Sequence, residues 1–510
     1  MLKKTGILLL VLTLLLPAAF GALGLEAPGS AVRPGCWYEV FVYSYADSDG
    51  DGIGDLKGLE GKLDYIEYMG YDGLWLMPIM PSPSYHKYDV TDYMNVDAQY
   101  GTLDDMRSLV DACHARGIRI IIDLVVNHTS NRHPWFTRAS AALKMGNMTN
   151  KYIGFYNFSD KKASKYTNLY GTDWYYEEQF QGGNMPDLNL SSPDVRKELT
   201  AIMAFWLNDV GVDGFRLDAC TSYMGTTDES VEFLRWLVDT AKALKPDCYL
   251  VGETWTSLAV IAQYYKSGID SCFLFPASQA EGYIVSALRA SKPAPLYVKN
   301  LLAAEQAIPD GILAPFLCNH DTGRSIGLLS ARSDPAKAKF AEGILNMYPG
   351  SVFTYYGEEI GMTGSSNDPN KRIAMNWSED ERTSPPPGAT TFEYPSPGVY
   401  EQQGDAASLL AYCREINRIK HLCPVLMEGR SEEVLTGERH CVLKRFNGEE
   451  YCLIAINFDA ENTVTFDVPG SFTLLDELET GSDRAAADVF NDVTSLTLPP
   501  YGIAILGEKK

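Results

Sequence analysis

The amino-acid sequence predicts an α/β fold, a (β/α)8 TIM barrel with a small inserted domain and a C-terminal antiparallel β-sandwich. Up to about residue 430, short apolar runs typical of strands alternate with helical stretches. One long irregular segment interrupts this alternation, and short alternating strands then continue to the end of the chain. The 510 residues are sufficient for one large domain and one or two smaller ones.

The predicted barrel strands are eight apolar runs, and helical patterns such as Thr102–Arg116 and Ser230–Leu244 lie between most of them. The eighth run is assigned partly because a closed barrel requires it. A parallel barrel carries its active site at the C-terminal ends of its strands, so the residues after each run are candidates for chemistry. The runs are Tyr38–Tyr43, Gly73–Met77, Ile118–Val126, Val212–Leu217, Cys248–Gly252, Ser271–Phe275, Leu313–Leu317 and Ser351–Tyr356.

The chain divides into a barrel, one insertion and one C-terminal addition. We predict barrel residues 30–127 and 190–430, an inserted domain at 128–189 and a β domain at 431–510. The insertion is rich in Tyr, Asn and Gly, and a structureless loop of that length is unusual in a compact domain. The predicted strands of the β domain are His440–Phe446, Tyr451–Phe458, Thr463–Val468, Thr494–Leu498 and Ile503–Leu506.

The N-terminus has the pattern of a signal peptide, which we predict over residues 1–27. The basic residues Lys3 and Lys4 precede the apolar run Ile7–Leu16, and small residues follow it. This run is too short to span a bilayer as a helix. We therefore expect a secreted, extracellular protein without stable membrane insertion; the alternative is an uncleaved signal anchor.

The ten cysteines show no dense spacing that would indicate a disulfide framework. Several fall in or beside apolar runs, which favours buried thiols at least as much as disulfides. Cys441 and Cys452 flank a possible hairpin and are a weakly indicated pair.

The charge balance narrows the choice of partners. The 43 Lys and Arg residues against 66 Asp and Glu residues give a formal net charge of −23. So acidic a surface repels nucleic acid and anionic membranes, and it suits a neutral substrate and a cation. We expect neither nucleic acid nor membrane as a partner, and we expect a monomer.

An acidic loop, Asp47–Asp55, follows the first predicted strand. Carboxylates occupy its first, third, fifth and ninth positions, and glycines let the chain wrap around a cation. These carboxylates would repel one another without a cation, so we predict Ca²⁺ here; the alternative is a solvated acidic turn. Position 12 holds Gly58 instead of the glutamate of an EF-hand. The expected ligands are Asp47, Asp49, Asp51, the backbone carbonyl of Ile53 and Asp55.

Three carboxylates follow three of the predicted strands. Arg216 and Asp218 are two residues apart at the end of the fourth strand, so both face the barrel mouth and the guanidinium keeps the carboxylate ionised. Glu253 ends the fifth strand beside Trp255 and faces a second carboxylate, so we expect its pKa to be raised, which favours a general acid. Asp321 follows the seventh strand. Burying three acids together is costly, so their shared location favours a functional site over a structural one.

Two further motifs add candidates for sugar binding. His128 closes the motif Asp123–His128 at the end of the third strand and could reach a substrate. Tyr88 lies in Tyr85–Asp89 after the second strand, and an aromatic ring can stack on the apolar face of a sugar. A single histidine or tyrosine is equally compatible with ordinary packing, so the context decides.

Taken in order, these motifs resemble those of glycoside hydrolase family 13, the α-amylase family. The resemblance covers most of the chain, from Trp37 to about Leu506. The methionine at position 185 resembles the residue found there in members of the family that are intermediate between the oligo-1,6-glucosidase and neopullulanase groups. The motifs that carry the resemblance are Asp123–His128, Met185–Asn189, Gly214–Asp218, Glu253, Asn319–Asp321, Tyr355–Met362 and Leu498–Gly502.

The resemblance implies roles for the site residues. Asp218 would be the nucleophile, Glu253 the general acid/base and Asp321 the transition-state stabiliser. Asn127 and Asp187 match the ligands of a second calcium ion between the barrel and the inserted domain. The substrate-binding residues that it implies are Tyr88, Asp89, His128, Arg216, His320 and Arg324.

The resemblance also implies a reaction: retaining, endo-acting hydrolysis of α-1,4-glucosidic linkages in starch, glycogen and maltooligosaccharides, with Ca²⁺ as cofactor and an α-glucan as partner. Ala219 fits α-1,4 better than α-1,6 cleavage. Thr221 and Ser222 stand where many α-amylases carry a Lys-His pair, which leaves a 4-α-glucanotransferase or an α-glucosidase or neopullulanase-like enzyme open. The three acids disfavour a non-catalytic transporter heavy chain or a pure glycan-binding protein.

Overall fold

The computed structural model describes residues 32–182, 184–332 and 334–508. The predicted signal peptide lies outside the described residues. None of the helices within these ranges combines the length and the apolar character that crossing a bilayer needs.

The strands and helices alternate up to residue 429, and strands alone follow. In chain order, the strands are β1 (Cys36–Val40), β2 (Gly73–Leu76), β3 (Arg119–Leu124), β4 (Phe158–Ser159), β5 (Tyr166–Asn168), β6 (Tyr175–Glu177), β7 (Gly214–Leu217), β8 (Tyr249–Gly252), β9 (Ser271–Phe273), β10 (Ile312–Ala314), β11 (Val352–Tyr355), β12 (Arg430–Thr436), β13 (His440–Asn447), β14 (Glu450–Asn457), β15 (Val464–Pro469), β16 (Phe472–Leu478), β17 (Ala486–Phe490), β18 (Val493–Leu498) and β19 (Ile503–Glu508). The α-helices are α1 (Leu56–Glu60), α2 (Leu63–Met69), α3 (Leu103–Ala115), α4 (Pro134–Lys144), α5 (Pro193–Ala204), α6 (Thr227–Leu244), α7 (Leu258–Tyr264), α8 (Tyr283–Arg289), α9 (Pro293–Ala307), α10 (Ser325–Leu328), α11 (Pro335–Asn346), α12 (Asp368–Lys371), α13 (Val399–Gln403), α14 (Leu409–Leu422) and α15 (Val425–Glu428).

The barrel sheet is parallel, with the strand order β10-β9-β8-β7-β3-β2-β1-β11. Backbone hydrogen bonds from Ser351 N to Leu313 O (2.8 Å) and from Phe353 N to Pro315 O (3.0 Å) join its two edges, so the sheet closes. The predicted (β/α)8 barrel and its eight strands are confirmed. Most strands end before the predicted runs do, because their last residues already turn outward at the barrel mouth.

Aromatic side chains fill the barrel interior. Trp37 stacks between Tyr249 and Phe353, with ring centroids 4.8 and 5.6 Å apart, and all three are buried. Trp75 packs against Phe273 nearer the mouth. Because this interior is solid, the polar groups above it rest on a rigid apolar base and not on water.

Helix α3 illustrates why the outer helices form where the sequence predicts them. Thr102 accepts a hydrogen bond from Asp105 N, and the Asp105 carboxylate accepts one from Thr102 N, which makes a capping box. The residues Met106, Leu109, Val110 and Cys113 recur at helical spacing and are buried against the barrel.

The segment between β3 and α5 forms the insertion that the sequence predicts. It consists of α4 and a small antiparallel sheet in the order β4-β6-β5. Two isolated bridges, His128 to Asp187 and Tyr156 to Leu188, join the last residues of this segment to its beginning and its middle. The insertion therefore holds His128 at the edge of the barrel mouth.

The C-terminal domain contains two antiparallel sheets, β12-β13-β14-β19-β16 and β15-β18-β17, that pack around a separate apolar core. The five predicted strands of this domain are present. Strands β12, β16 and β17 are not among the predicted strands. Each of these is an edge strand, and edge strands bury little of their surface, so their alternation of apolar and polar residues is weak.

The ten cysteines are free thiols. The weakly indicated pairing of Cys441 with Cys452 is wrong. On the adjacent strands β13 and β14, Cys441 lies opposite Ile456, whereas Cys452 lies opposite Arg445, so the register separates the two thiols.

Candidate active site

A cavity of about 410 Å³ opens at the C-terminal ends of the barrel strands. Barrel residues form its floor and residues of the inserted domain form one wall. The lining residues are His86, Tyr88, His128, Phe180, Met185, Asp218, Glu253, Trp255, Asp321, Asp368 and Arg372. The three acids predicted from the sequence therefore share one cavity.

Arg216 is the electrostatic centre of this site. Its guanidinium is fully buried and contacts three carboxyl groups: Asp123 Oδ1 at 2.6 Å, Asp218 Oδ1 at 2.7 Å and Glu253 Oε2 at 3.1 Å. The parallel register of β3, β7 and β8 sets Arg216 opposite Asp123 and Val251, which fixes this arrangement. One positive charge cannot balance three negative ones, so the site favours a proton on some of these carboxyls.

Glu253 is the carboxyl whose pKa rises most clearly toward neutrality. Burial raises its pKa to about 7, with Asp218 and Asp321 adding to the rise and Arg216 opposing it. From the sequence, this rise of the pKa was expected from Trp255 and from a second carboxylate that faces Glu253, and Asp218 is such a carboxylate. In the structure, Trp255 is half exposed and stacks on Phe275 with centroids 4.8 Å apart, so burial of the carboxyl is the main cause. At neutral pH, a substantial fraction of Glu253 carries a proton that it can donate.

The turn after β7 helps to hold Glu253. Ala219 has a φ of 49°, in the left-handed region that residues with a β-carbon rarely adopt. This conformation points Ala219 N at Glu253 Oε2, 2.8 Å away. The strained backbone therefore connects the end of the Asp218 strand to the Glu253 side chain.

Asp321 is held by two cationic groups. Arg372 Nη2 lies 2.9 Å from its Oδ1, and His320 Nε2 lies 3.1 Å from its Oδ2. Although burial opposes ionisation, His320 and Arg372 keep the pKa of Asp321 well below its usual range. Asp321 is therefore ionised at every pH at which the protein would work.

His320 is a buried imidazolium. Its Nδ1 lies 2.5 Å from Glu39 Oε1, and its Nε2 also contacts Tyr88 OH at 2.7 Å. Burial lowers the pKa, but the carboxylates of Asp321 and Glu39 outweigh it and raise the pKa of His320 to about 9. The ring of Tyr88 stacks on His320 with centroids 5.5 Å apart, and Tyr88 lines the cavity.

His128 stands across the cavity with one unused ring nitrogen. Its side chain is buried, its ring contacts Phe180 edge to face, and Nε2 has no partner of good hydrogen-bond geometry within the described ranges. Burial lowers its pKa, so the ring is neutral. A neutral imidazole nitrogen at the cavity wall can hydrogen-bond to a ligand hydroxyl.

Of the predicted substrate-binding residues, Tyr88 and His128 line the cavity, whereas Asp89, Arg216, His320 and Arg324 do not. The carboxylate of Asp89 accepts hydrogen bonds from Ser82 and Ser84 and is buried behind the cavity wall. The Arg324 guanidinium is buried between Tyr355 and Glu358, 4.1 Å from the Tyr355 ring. Both residues therefore hold loops that surround the site, and their direct contact with a sugar stays a prediction.

Several cavity residues were not predicted from the sequence. Arg372, Asp368 and Phe180 line the cavity, but they lie in loops or a short helix far apart in the sequence, whereas His86 belongs to the predicted Tyr85–Asp89 motif. Asp123 was part of a motif without a role, and its structural role is to pair with Arg216. Such loop residues show no periodicity in the sequence. A charged residue shortly after a barrel strand is the strongest available signal, and Arg372 does not closely follow a strand.

The acidic loop brings three of its carboxylates together. Oxygen atoms of Asp47, Asp49 and Asp55 lie within 4.8 Å of one another. Backbone N–H groups of the loop, such as Gly50 N at 2.7 Å and Gly52 N at 2.8 Å, bind the Asp47 carboxylate. This set of hard oxygen donors in a tight loop fits Ca²⁺. Asp51 lies outside the cluster, and its Oδ1 accepts a hydrogen bond from Ile53 N at 2.7 Å.

Asn127 and Asp187 also meet in the structure. Asn127 Nδ2 donates directly to Asp187 Oδ1 at 3.1 Å, and Gln179 N donates to the other carboxylate oxygen at 3.0 Å. An amide that donates to a carboxylate satisfies the pair without a metal, so this arrangement does not itself form a cation cage. The second calcium ion stays a prediction.

The barrel is closed and parallel, and three carboxylates lie at the C-terminal ends of its strands, two of them in contact with one guanidinium. This arrangement is typical of one class of protein, the glycosidases built on a barrel. The model of the α-amylase catalytic domain matches residues 39–429 of this chain. The chain belongs to the α-amylase family, glycoside hydrolase family 13, and it is an enzyme of the glycosidase class.

Three relatives illustrate the similarity. Alpha-amylase 3 of Dictyoglomus thermophilum is 37% identical over 445 residues, which covers 84% of this chain and 86% of the relative. Oligo-1,6-glucosidase of Heyndrickxia coagulans is 30% identical, covering 85% of this chain and 92% of the relative. The solved structure of Eubacterium rectale Amy13B superposes with a TM-score of 0.89 at 41% identity, covering 95% of this chain and 97% of that one.

Proposed function

We propose that this enzyme hydrolyses α-1,4-glucosidic linkages of starch, glycogen and maltooligosaccharides internally and with retention of configuration. One observation carries the proposal. The Arg216 guanidinium contacts both Asp218 and Glu253, and burial raises the pKa of Glu253 to about 7. Two carboxyls on one cation, of which one holds a proton, match the requirement for a nucleophile beside a general acid.

The proposed reaction has two steps. Asp218 attacks the anomeric carbon while Glu253 protonates the departing glycosidic oxygen, which gives a covalent glycosyl-enzyme. Glu253 then takes a proton from water, the water attacks the same carbon, and Asp218 leaves. Retaining enzymes hold the two carboxyls roughly 5–5.5 Å apart, a distance that a shared guanidinium can span.

The remaining polar groups would stabilise the sugar that is cleaved. The ionised Asp321 carries negative charge next to the developing oxocarbenium ion, and Arg372 and His320 keep it ionised and in place. The neutral His128 would hydrogen-bond to a sugar hydroxyl through Nε2. Both ring nitrogens of His320 contact Glu39, Asp321 or Tyr88, so His320 would act by holding Asp321 and Tyr88 in place. The ring of Tyr88, fixed by His320, would stack on the apolar face of the sugar.

The name of the Dictyoglomus relative, α-amylase, supports internal α-1,4 hydrolysis, and Ala219 after the nucleophile agrees with it. A specific feature favours a second candidate, glucosyl transfer. Trp255 is 47% exposed on the cavity rim and stacked on Phe275, so it offers a flat surface on which an acceptor sugar can stack. The chain also lacks the Lys-His pair on the leaving-group side, where Thr221 and Ser222 stand.

The proposal also includes a calcium ion at Asp47–Asp55. The clustered carboxylates of Asp47, Asp49 and Asp55 support it. A bound Ca²⁺ would supply no reaction chemistry; it would neutralise the loop and fix its conformation. The loop contacts the segment after Arg372, because Gly52 O accepts from Ser384 N at 2.7 Å. Ser44, which precedes the loop, donates from Oγ to Arg372 O at 2.6 Å. Extracellular location rests on the N-terminal sequence pattern, and the monomeric state stays a prediction.

The experiment that tests the function is a time course of products from amylose, pullulan and maltoheptaose, with ¹H NMR of the first product formed. We expect short α-configured maltooligosaccharides from amylose and maltoheptaose. A β-configured first product would contradict the retaining mechanism. Products longer than maltoheptaose would show that the enzyme transfers glucosyl units and does not mainly hydrolyse them. Glucose as the sole product would show cleavage at the chain end and not inside the chain.

A further inference from the structure

Two cysteines meet where the barrel joins the C-terminal domain. Cys423 directly follows helix α14 and is partly exposed, whereas Cys452 lies in strand β14 and is buried. The Cys452 thiol hydrogen-bonds to the sulfur of Cys423. The two sulfur atoms therefore face each other across the junction of the two domains.

The surrounding hydrogen bonds fix this juxtaposition. Arg445, which lies opposite Cys452 on strand β13, is buried and donates to the carbonyl oxygen of Leu426. Leu426 N in turn donates to Cys423 O at 2.9 Å. A second guanidinium nitrogen of Arg445 donates to Met347 O of the barrel at 2.6 Å. The turn that carries Cys423 is thus clamped to the strand pair that carries Cys452.

We propose that Cys423 and Cys452 form a disulfide bond on reaction with an external disulfide such as oxidised glutathione, and that this bond joins the barrel covalently to the C-terminal domain. The bond closes the chain between residues 423 and 452, which restricts the unfolded chain and adds stability to the folded one.

The chemistry is an ordinary double thiol–disulfide exchange. The Cys423 thiolate attacks the external disulfide, so a mixed disulfide forms and one external thiolate leaves. Cys452 then attacks the Cys423 sulfur, its thiol proton passes to the leaving groups, and the second external thiol departs. Two protein thiols are oxidised and one external disulfide is reduced to two thiols.

Cys423 is the residue suited to react first. The hydrogen bond from Cys452, followed by the backbone N–H of Leu426 and the charge of Arg445, holds the pKa of the Cys423 thiol below its usual value, although burial opposes this. Its partial exposure also admits a small oxidant. Cys441 differs in both respects, because burial raises its pKa to a value above the usual range and no second thiol faces it in its strand register.

The test uses the purified full chain, with and without oxidised glutathione, alkylated in denaturant and measured by mass spectrometry. After oxidation we expect two fewer alkylated cysteines than the ten in the sequence and a linked peptide pair that contains residues 423 and 452. Dithiothreitol should lower the thermal unfolding midpoint of the oxidised protein by a few degrees.

The matched variants are Cys452→Ser and Cys441→Ser, on neighbouring strands. Cys452→Ser should abolish both the linked pair and the effect of dithiothreitol, while Cys441→Ser should keep both. Ten alkylated cysteines after oxidation, or a linked pair other than 423 and 452, would overturn the proposal. Unchanged circular dichroism of each variant shows that the lost link does not come from misfolding.

Discussion

Carboxylates cluster at the barrel mouth and again in the Asp47–Asp55 loop, and the two regions neutralise them in different ways. At the mouth, buried cations from the same chain do so: Arg216 contacts Asp218 and Glu253, and Arg372 contacts Asp321. In the loop, the partners are mainly backbone N–H groups and the Ser48 hydroxyl.

This difference separates a site that the chain completes by itself from one that it leaves incomplete. The mouth is preorganised because its charges are paired before a substrate arrives. Backbone N–H groups carry only partial charge, so the clustered loop carboxylates still need a cation from solution. The first region should thus tolerate removal of divalent metal, and the second should not.

The largest expected effect tests the mouth. Asp218→Asn removes the proposed nucleophile but keeps its size, and we expect kcat on maltoheptaose to fall by roughly 10⁴–10⁶-fold. Glu253→Gln should lose about 10²–10⁴-fold on the same substrate. On an α-maltosyl fluoride, whose leaving group needs no proton, Glu253→Gln should recover much of the rate of the first step, measured as a burst of fluoride, whereas Asp218→Asn should not. Equal recovery by both variants would contradict the assigned roles.

The next effect tests whether a cation outside the predicted motifs matters. Arg372→Gln leaves Asp321 with His320 alone, and we expect kcat to fall by up to about 10²-fold, because Asp321 shifts and its pKa rises toward the usual range. Arg382→Gln is the control: it removes an arginine from the same segment that stacks on Tyr394, 4.1 Å away, outside the cavity. Equal losses in the two variants would mean that Arg372 acts only through folding.

A smaller effect is the pH dependence of the mouth. Glu253 must hold its proton in the first step, and its pKa is about 7, so kcat/KM should fall about tenfold per pH unit above pH 7. Since burial and not Trp255 raises this pKa, Trp255→Ala should leave the alkaline limb where it is. If the alkaline limb of the pH profile moves down by a full pH unit in Trp255→Ala, Trp255 is the main cause of the raised pKa of Glu253.

The comparison also shows which features a sequence can reveal. The barrel strands are continuous apolar runs, and the acids follow them directly, so Asp218, Glu253 and Asp321 were predictable from position alone. The Asp47–Asp55 loop was equally predictable, because its carboxylates lie close together in the sequence. Such features are local, and a local pattern is what a sequence displays.

Features that depend on contacts between distant segments were not predictable. Arg372 lies 51 residues from its partner Asp321, and Phe180 reaches the cavity only because the insertion folds over the barrel mouth. The resemblance to a family assigned Asp89 and Arg324 to the substrate, and their burial beside Ser84 and Tyr355 is a contact between segments that no local pattern shows. Three of the four edge strands of the C-terminal domain, β12, β16 and β17, were not predicted, because one-sided pairing weakens their pattern.

The smallest expected effect tests the loop. If Asp47, Asp49 and Asp55 share a Ca²⁺ ion, a chelator should lower the thermal unfolding midpoint by several degrees, and added calcium should restore it, because an ion at 100 times its Kd contributes about 2.7 kcal/mol. Asp49→Asn should remove most of this calcium-dependent shift. Asp459→Asn is the matched control, since Asp459 also accepts N–H groups in an exposed turn, from Glu461 at 2.9 Å and Asn462 at 2.8 Å, but is not part of that carboxylate cluster. A midpoint that does not respond to the chelator would mean that backbone N–H groups alone neutralise the loop, and the contrast with the barrel mouth would then be one of degree.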